Sequence, residues 1–256
     1  SQSLGRGAET PLAKLPQALH SCPMCGRFTF HATTAELRAG LGDAPMGFRE
    51  ERRYNIAPGQ WVIVVRPERN QRRLGLARWG LVPSWSKDPE GGPKPINARA
   101  EGIAEKPMFR GALRHGRCLI PASGFYEWKQ IGKTKVPHYI RPKNGGIWVF
   151  AGLWSSWSGP DGDLDTCTII TTVPNRTMEP IHNRMPVILG LGAMEQWLSP
   201  DTKTPTDLLV PCPDEWLTIV QVGPAVGNPR NDGPELIQEM NTPAAAIPFL
   251  KGPLGE

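Results

Sequence analysis

Arg117-Cys-Leu-Ile-Pro-Ala-Ser-Gly-Phe-Tyr-Glu-Trp128 is the stretch from which the fold is read. Two short runs, 117–121 with Cys118-Leu119-Ile120 at its centre and 125–129 with three aromatics, are candidates for strands. Ser123-Gly124 breaks them apart, so they read as consecutive strands. In an extended chain alternate residues share a face. Phe125, Glu127 and Lys129 therefore fall on one side, Tyr126 and Trp128 on the other. The second run thus carries a carboxylate among aromatics.

Working outward, the same pattern recurs. Gly132-Lys133-Thr134 reads as a hairpin turn into a strand at 137–141, and further strands fit 147–154, 166–173 and 216–222. Upstream, 61–65 is a continuous β-branched run, while 73–79 alternates leucines with basic residues. A strand also fits 25–30. Thr33-Thr34-Ala35-Glu36 has the form of a capping box, opening a helix that ends near Gly40 or Gly42. Residues 97–106 and 193–198 read as two more short helices, 54–59 as a turn-rich connector, and 80–95 as a long loop containing Trp85. Irregularly spaced strands with few short helices predict a single α+β domain of curved, mostly antiparallel sheet, with a barrel-like core and peripheral helices.

The chain has 256 residues, enough for a substantial core. Its 28 Gly and 28 Pro make it loop-rich, while nine Trp and a 39% apolar fraction indicate a folded protein. A formal charge of +5 suits a polyanionic partner such as nucleic acid, although many soluble proteins carry as much. Cys22, Cys25, Cys118, Cys167 and Cys212 are odd in number and scattered, which gives neither a disulfide framework nor a zinc site. Cys22 and Cys25 form a CxxC without the βαβ setting of a redox motif. No apolar run reaches membrane length and no secretory signal is recognisable, so a cytoplasmic, reducing location is expected. Residues 1–24 read as a flexible leader, removed or absent in the active form; the domain spans 25–239 and a Pro/Ala-rich tail 240–256.

Several residues have the chemistry for a site. Cys25, if it were a chain terminus, would carry an α-amine and a thiol on one residue, a pair that closes on an aldehyde as a thiazolidine. The same cysteine would serve equally as a small buried apolar residue. Glu127, if inward-facing, would have a raised pKa suited to proton transfer; on an edge strand it would simply face solvent. His182, between Pro180 and Pro186, suits a general acid or base, or a surface position. Asn97 can orient a nucleophile or cap a helix. Arg27, Arg99 and Arg184 would cradle phosphate if they converged. Trp85 can stack on a nucleobase, or anchor its loop in the core.

Seven ordered blocks resemble one family. They are Met-Cys-Gly-Arg-Phe at 24–28, Tyr-Asn-Ile-Ala-Pro-Gly at 54–59, Trp-Gly-Leu-Val-Pro-Ser-Trp at 79–85 and Ile-Asn-Ala-Arg-Ala-Glu at 96–101. The stretch 117–128 is the fifth, Ile-His-Asn-Arg-Met-Pro at 181–186 the sixth, and Ala-Val-Gly-Asn at 225–228 with Asn231 the last. The chain is similar in these to the SRAP (SOS-response-associated peptidase) family of abasic-site processing proteins. The resemblance implies binding of single-stranded DNA at abasic sites and a covalent cross-link through an N-terminal cysteine. It makes Cys25 the nucleophile, Asn97 its orienting residue, and Glu127 with His182 the acid/base pair. Arg27, Arg99 and Arg184 match phosphate contacts, and Asn55, Pro58 and Trp85 fall in segments that shape the DNA channel. No cofactor, metal or membrane is implied, and a monomer is expected. Ser86 departs from members with a second aromatic after the loop tryptophan. Self-cleavage before Cys25 and a lyase side reaction are possible companions. A thiol peptidase acting on peptides and a non-catalytic nucleic-acid module are the rival readings. One chemical conflict stands out: residues 1–24 would make the Cys25 nitrogen an amide, which cannot form an imine.

Overall fold

The computed structural model describes residues 25–41, 51–68, 71–160 and 162–240. The expected leader and all but the first residue of the expected tail lie outside them. In chain order the described strands are β1 (Phe28–Phe30), β2 (Arg53–Ile56), β3 (Trp61–Glu68), β4 (Gln71–Trp79), β5 (Asn97–Arg99) and β6 (Arg117–Ala122). They continue with β7 (Gly124–Ile131), β8 (Thr134–Pro142), β9 (Trp148–Gly159), β10 (Gly162–Thr172), β11 (Met185–Pro186) and β12 (Leu217–Gln221). The helices are α1 (Thr34–Leu41), α2 (Pro107–His115) and α3 (Leu191–Leu198).

Five strands close on themselves in the order β10-β4-β3-β6-β9, with β9 pairing back to β10. This is the barrel-like core expected from the sequence. Its neighbours are antiparallel except at one seam, where β10 runs parallel to β4 and Thr166 lies opposite Arg78. Closure leaves no free edge in the ring. Val64, Val65, Leu119, Ile120 and Ala151 have no solvent exposure, so the ring's strands are covered on both faces.

A second sheet, β12-β8-β7-β1-β2, packs against the barrel. Phe28 meets Trp79 edge-on at 5.2 Å between ring centroids, and Phe150 stands edge-to-face with both Phe28 and Phe125 at 6.2 and 6.1 Å. This T-shaped geometry aligns the positive ring edges with negative faces and locks β1 and β7 onto the barrel wall. On the sheet's other side Tyr126, Tyr139, Val220 and Val222 form a smaller core closed by Val226 and Leu236. The predicted alternation along β7 therefore holds: Phe125 belongs to the main core and Tyr126 to the small one. Both faces of β7 are covered, and β7 lies between β8 and β1. Glu127 is thus on an interior strand and is 4% exposed, which removes the edge-strand alternative.

Local signals at helix ends are realised in α1. Thr33 Oγ1 accepts the Glu36 N–H at 3.2 Å while Glu36 Oε2 accepts the Thr33 N–H at 2.8 Å, a reciprocal capping box. Two expectations are corrected. Residues 97–106 do not form a helix: 97–99 is strand β5, whose Asn97, Ala98 and Arg99 align with Ile169, Ile170 and Thr171 of β10. Pairing along an open stretch of β10 outweighs the weak helical preference of the segment. The helix comes later, from Pro107, which needs no N–H partner in a first turn. The connector at 54–59 contains part of β2, an edge strand on β1.

At Gly124, β7 approaches β8 too closely for any side chain. A Cβ there would stand 2.5 Å from Tyr139 Oη and 2.6 Å from the Ile140 carbonyl oxygen. Gly124→Ala should therefore destabilise the domain by about 2–3 kcal/mol, measured as a lower urea midpoint with an unchanged m-value.

Candidate active site

The site forms where the middle of β7 meets the turn that precedes β1. Cys25 lies in that turn with φ +45°, a left-handed conformation uncommon for a residue with a Cβ. The turn directs its N–H inward, where it donates to Glu127 Oε1 at 2.7 Å. Cys25 is 2% exposed, so this contact is made away from water.

Burial decides the protonation chemistry of the pair. It pushes the Glu127 carboxyl above the usual carboxylate range, against the smaller opposing pulls of the His182 charge and of the Cys25 N–H and thiol. Burial likewise drives the Cys25 thiol well up, Glu127 adds to the rise, and Arg184 pulls weakly the other way. The cysteine therefore sits as a neutral thiol beside a carboxyl that readily holds a proton. An activated thiolate needs the opposite environment.

His182 follows a tight turn in which its N–H and that of Ile181 both donate to the Met178 carbonyl, at 3.0 and 2.8 Å. Its Nδ1 lies 3.2 Å from the Arg184 backbone N–H and accepts from it. That assigns the ring proton of the neutral form to Nε2. His182 is half-buried, its charge acting on Glu127.

Arg184 is buried, and its fork is spent on protein. Nη1 and Nη2 bind the two oxygens of Glu101 at 2.5 and 2.8 Å, and Nη2 also donates to the Thr171 carbonyl at 2.6 Å. Bidentate pairing of this kind fixes orientation as well as charge. The partner, Glu101, ends the 96–101 block, and its local sequence does not mark it for this role. Arg99 is exposed and stands opposite Thr171 in the β5–β10 register, on the same residue that receives Arg184. Asn97 is half-buried two positions earlier on β5, opposite Ile169.

The third arginine belongs to a separate node. Arg27 Nη1 donates to Asn55 Oδ1 at 2.9 Å and to the Val226 carbonyl at 2.8 Å. Asn55 is fully buried, and its Nδ2 lies within 3.2 Å of three carbonyls, those of Val226, Asn228 and Asn231. Asn231 Nδ2 donates back to the Ala225 carbonyl at 2.8 Å. One asparagine and one arginine thus hold the whole 225–231 segment, and Asp232, which sequence reasoning overlooked, accepts the Asn55 backbone N–H at 2.9 Å. Cys25, Glu127, His182 and Arg184 are joined by direct contact or charge. Pro58, exposed in the turn after β2, and Trp85, 64% exposed in the long loop, share no hydrogen bond or ion pair with them among the described residues. Trp85 is therefore no core anchor. Trp157 fills that part, donating from Nε1 to the Ser86 carbonyl at 2.7 Å.

A profile of the SOS response associated peptidase (SRAP) family matches residues 24–229. The chain belongs to the SRAP family. Among its relatives, abasic site processing protein YoqW of Bacillus subtilis is 44% identical over 223 residues, covering 84% of this chain and 99% of that one. Abasic site processing protein YedK of Escherichia coli is 30% identical over 224 residues, 84% and 99% of the two chains. A crystal structure of a protein from Bacteroides thetaiotaomicron superposes with a TM-score of 0.73 at 25% identity, over 84% of this chain and all of the other. Among the described residues of this SRAP chain, no group of three or more His, Cys, Asp and Glu side chains is arranged to hold a metal ion.

Asn55→Ala would remove one acceptor of Arg27 and a donor shared by three carbonyls at once. A loss of about 2–4 kcal/mol is expected, together with faster amide exchange confined to 225–231, read by hydrogen–deuterium exchange.

Proposed function

We propose that this protein binds single-stranded DNA at abasic sites and cross-links to it through Cys25, with residues 1–24 removed, shielding the lesion. The observation that carries the reading is the buried Cys25 N–H to Glu127 contact beside a thiol held neutral. Support comes from SRAP membership and from relatives that are named abasic site processing proteins.

The open-ring abasic sugar presents an aldehyde at C1′. The free α-amine of Cys25, with an ordinary pKa of about 7.7–8.0, is partly unprotonated at neutral pH. Its nitrogen attacks C1′ to give a carbinolamine. Glu127, holding a proton because it is buried, donates to the departing hydroxyl, and water leaves as the C=N bond forms. His182 is the second proton carrier, through Nε2. The thiol then adds across C=N: sulfur bonds to C1′, its proton passes to nitrogen, and the thiazolidine closes with one water released overall. Ring closure within a single residue has a high effective molarity. Arg99 would meet the backbone from its exposed position. Arg184, fixed by Glu101 and Thr171, would add its positive charge to that of Arg99. Asn97 would orient the nucleophile, and Arg27 acts through the segment it holds.

The neutral thiol also bears on the rival reading. A thiol peptidase attacks with thiolate, and here burial and Glu127 both oppose ionisation. An amine-first order needs no thiolate, because an iminium carbon is electrophilic enough for thiol addition with proton transfer. Cleavage between Met24 and Cys25, and β-elimination of an untrapped imine, remain companion activities under the same proposal.

Cys25→Ser should abolish the heat-stable adduct between abasic single-stranded DNA and the chain that begins at Cys25, read on a denaturing gel. An undiminished adduct would contradict the mechanism. Glu127→Gln keeps the acceptor for the Cys25 N–H and removes the transferable proton; single-turnover cross-linking should slow by about 10²-fold. The same variant tests the burial argument through stability. A folded-state pKa raised above the unfolded value means the native state holds more protons, so stability is full below the ordinary carboxylate pKa and falls as pH rises through the folded one. Glu127→Gln should flatten that decline in melts taken between pH 4 and pH 8.

A further inference from the structure

Among the described residues the buried charged groups are Arg117, Glu127 and Arg184. Arg117 is spent on three carbonyls, those of Leu113, Trp197 and Ser199. That leaves one buried carboxyl and one buried guanidinium, both acting on Cys25, and they do not pair with each other. Opposite charges shielded from water attract strongly, so their separation needs a cause. We propose that Glu101 is a positioning residue for the reaction at Cys25: by occupying both terminal nitrogens of Arg184, it keeps the guanidinium from pairing with the Glu127 carboxyl. The inference rests on the reading of Glu127 as the proton donor of that reaction.

The backbone sets Glu101 and Arg184 against each other. The end of β10 is flanked by β5 and β11, with Thr171 opposite both Arg99 and Pro186. The Ala100 N–H donates to the Thr171 carbonyl at 2.8 Å, which places Glu101 at the exit of β5. Arg184, one residue before β11, reaches the same carbonyl through Nη2 at 2.6 Å. Glu101 closes on the fork from there, with 54% of its side chain exposed against 9% for Arg184. The Arg184 Nε–H has no partner among the described residues, so Glu101 and Thr171 alone hold that guanidinium. Shared residues tie the pair to the chemistry. The Arg184 backbone N–H donates to His182 Nδ1 at 3.2 Å, and the Arg184 charge is felt at the Cys25 thiol, which itself bonds Glu127. Glu127 is faced by Cys25 from the turn before β1, by His182 from the 173–184 segment and by His138 opposite it on β8, with Lys129 two positions along its own strand. Removing one partner of a buried ion leaves its charge uncompensated, and Glu127 is the buried carboxyl to which a released Arg184 can turn. A carboxyl beside a guanidinium gives up its proton about 1–3 pH units lower, and the proton donor would be spent.

Glu101→Gln keeps the size of the side chain and removes its charge. The test is the pH–rate profile of single-turnover cross-linking by the chain beginning at Cys25, at saturating abasic strand. The alkaline limb should move down by about one pH unit, a loss of about tenfold on that limb, while the acid limb moves little. Glu101→Gln combined with Arg184→Gln removes the guanidinium as well, so the limb should return to its wild-type position even though the rate is lower. A Glu101→Gln profile lowered equally at every pH, or a limb that stays displaced in the double variant, would overturn the proposal. Melts without DNA give an independent readout between pH 5.5 and pH 8. Burial holds the Glu127 carboxyl above its usual range, so wild-type stability falls as pH rises through that raised value. The Glu101 carboxyl is held below its usual range by Arg184, and its contribution is lost only as pH falls through that lowered value, outside this window. The decline should flatten in Glu101→Gln; an unchanged decline would also overturn the proposal. Failure of the proposed function looks different: a wild-type chain that forms no adduct fails the chemistry, while flattened melts in Glu101→Gln leave the role of Glu101 toward Arg184 standing.

Discussion

The hydrogen bond from the Cys25 nitrogen to Glu127, made where neither group reaches water, is the constraint on which the site depends. A carboxyl in that position resists ionisation, and the resistance is what makes it a proton carrier at neutral pH. Keeping it there requires an interior strand with both faces covered. The closed barrel supplies one cover, where its Trp79 and Phe150 pack on Phe28 and Phe125 of the second sheet, and the small core around Tyr126 and Tyr139 supplies the other. The left-handed turn at Cys25 then brings the nitrogen inward. Strand order, aromatic packing and one strained dihedral serve a single contact.

Around that contact the polar residues divide between chemistry and architecture. Glu101 and Thr171 hold Arg184 in place, and Arg184 in turn gives its N–H to His182. The Asn55 and Arg27 pair converts a run without regular strand or long helix, 225–231, into a fixed wall. Removing one member of such a network leaves buried groups unpaired, so its parts are worth more together than singly.

Much of the fold was legible because its signals are local. The alternation in 125–129, the hairpin at Gly132 and the Thr33–Glu36 box each express the physics of a few neighbouring residues. Residues 97–106 were misread because β5 exists only through pairing with β10, some 70 positions away, which no window of sequence contains. The burial of Glu127 was legible only as a conditional. Face alternation set its side of the strand, but whether β7 was interior or edge depended on β1 and β8 arriving on either side. Glu101 and Asp232 were missed for a related reason: their partners lie 83 and 177 residues away, and a carboxylate alone in sequence gives no sign of the guanidinium or N–H it will meet. The exposed Trp85 and the pinning Trp157 look alike as residues; only the Ser86 contact distinguishes them.

The central claim is that amine and thiol of Cys25 both end on one carbon of the sugar. Intact and tandem mass spectrometry of the chain beginning at Cys25, incubated with an abasic single-stranded oligonucleotide, tests it most directly. The account predicts a product equal to protein plus strand minus one water, with the modification on Cys25 and no alkylatable thiol left there. A product of that mass with a free Cys25 thiol, or with the strand attached at a lysine, would contradict it.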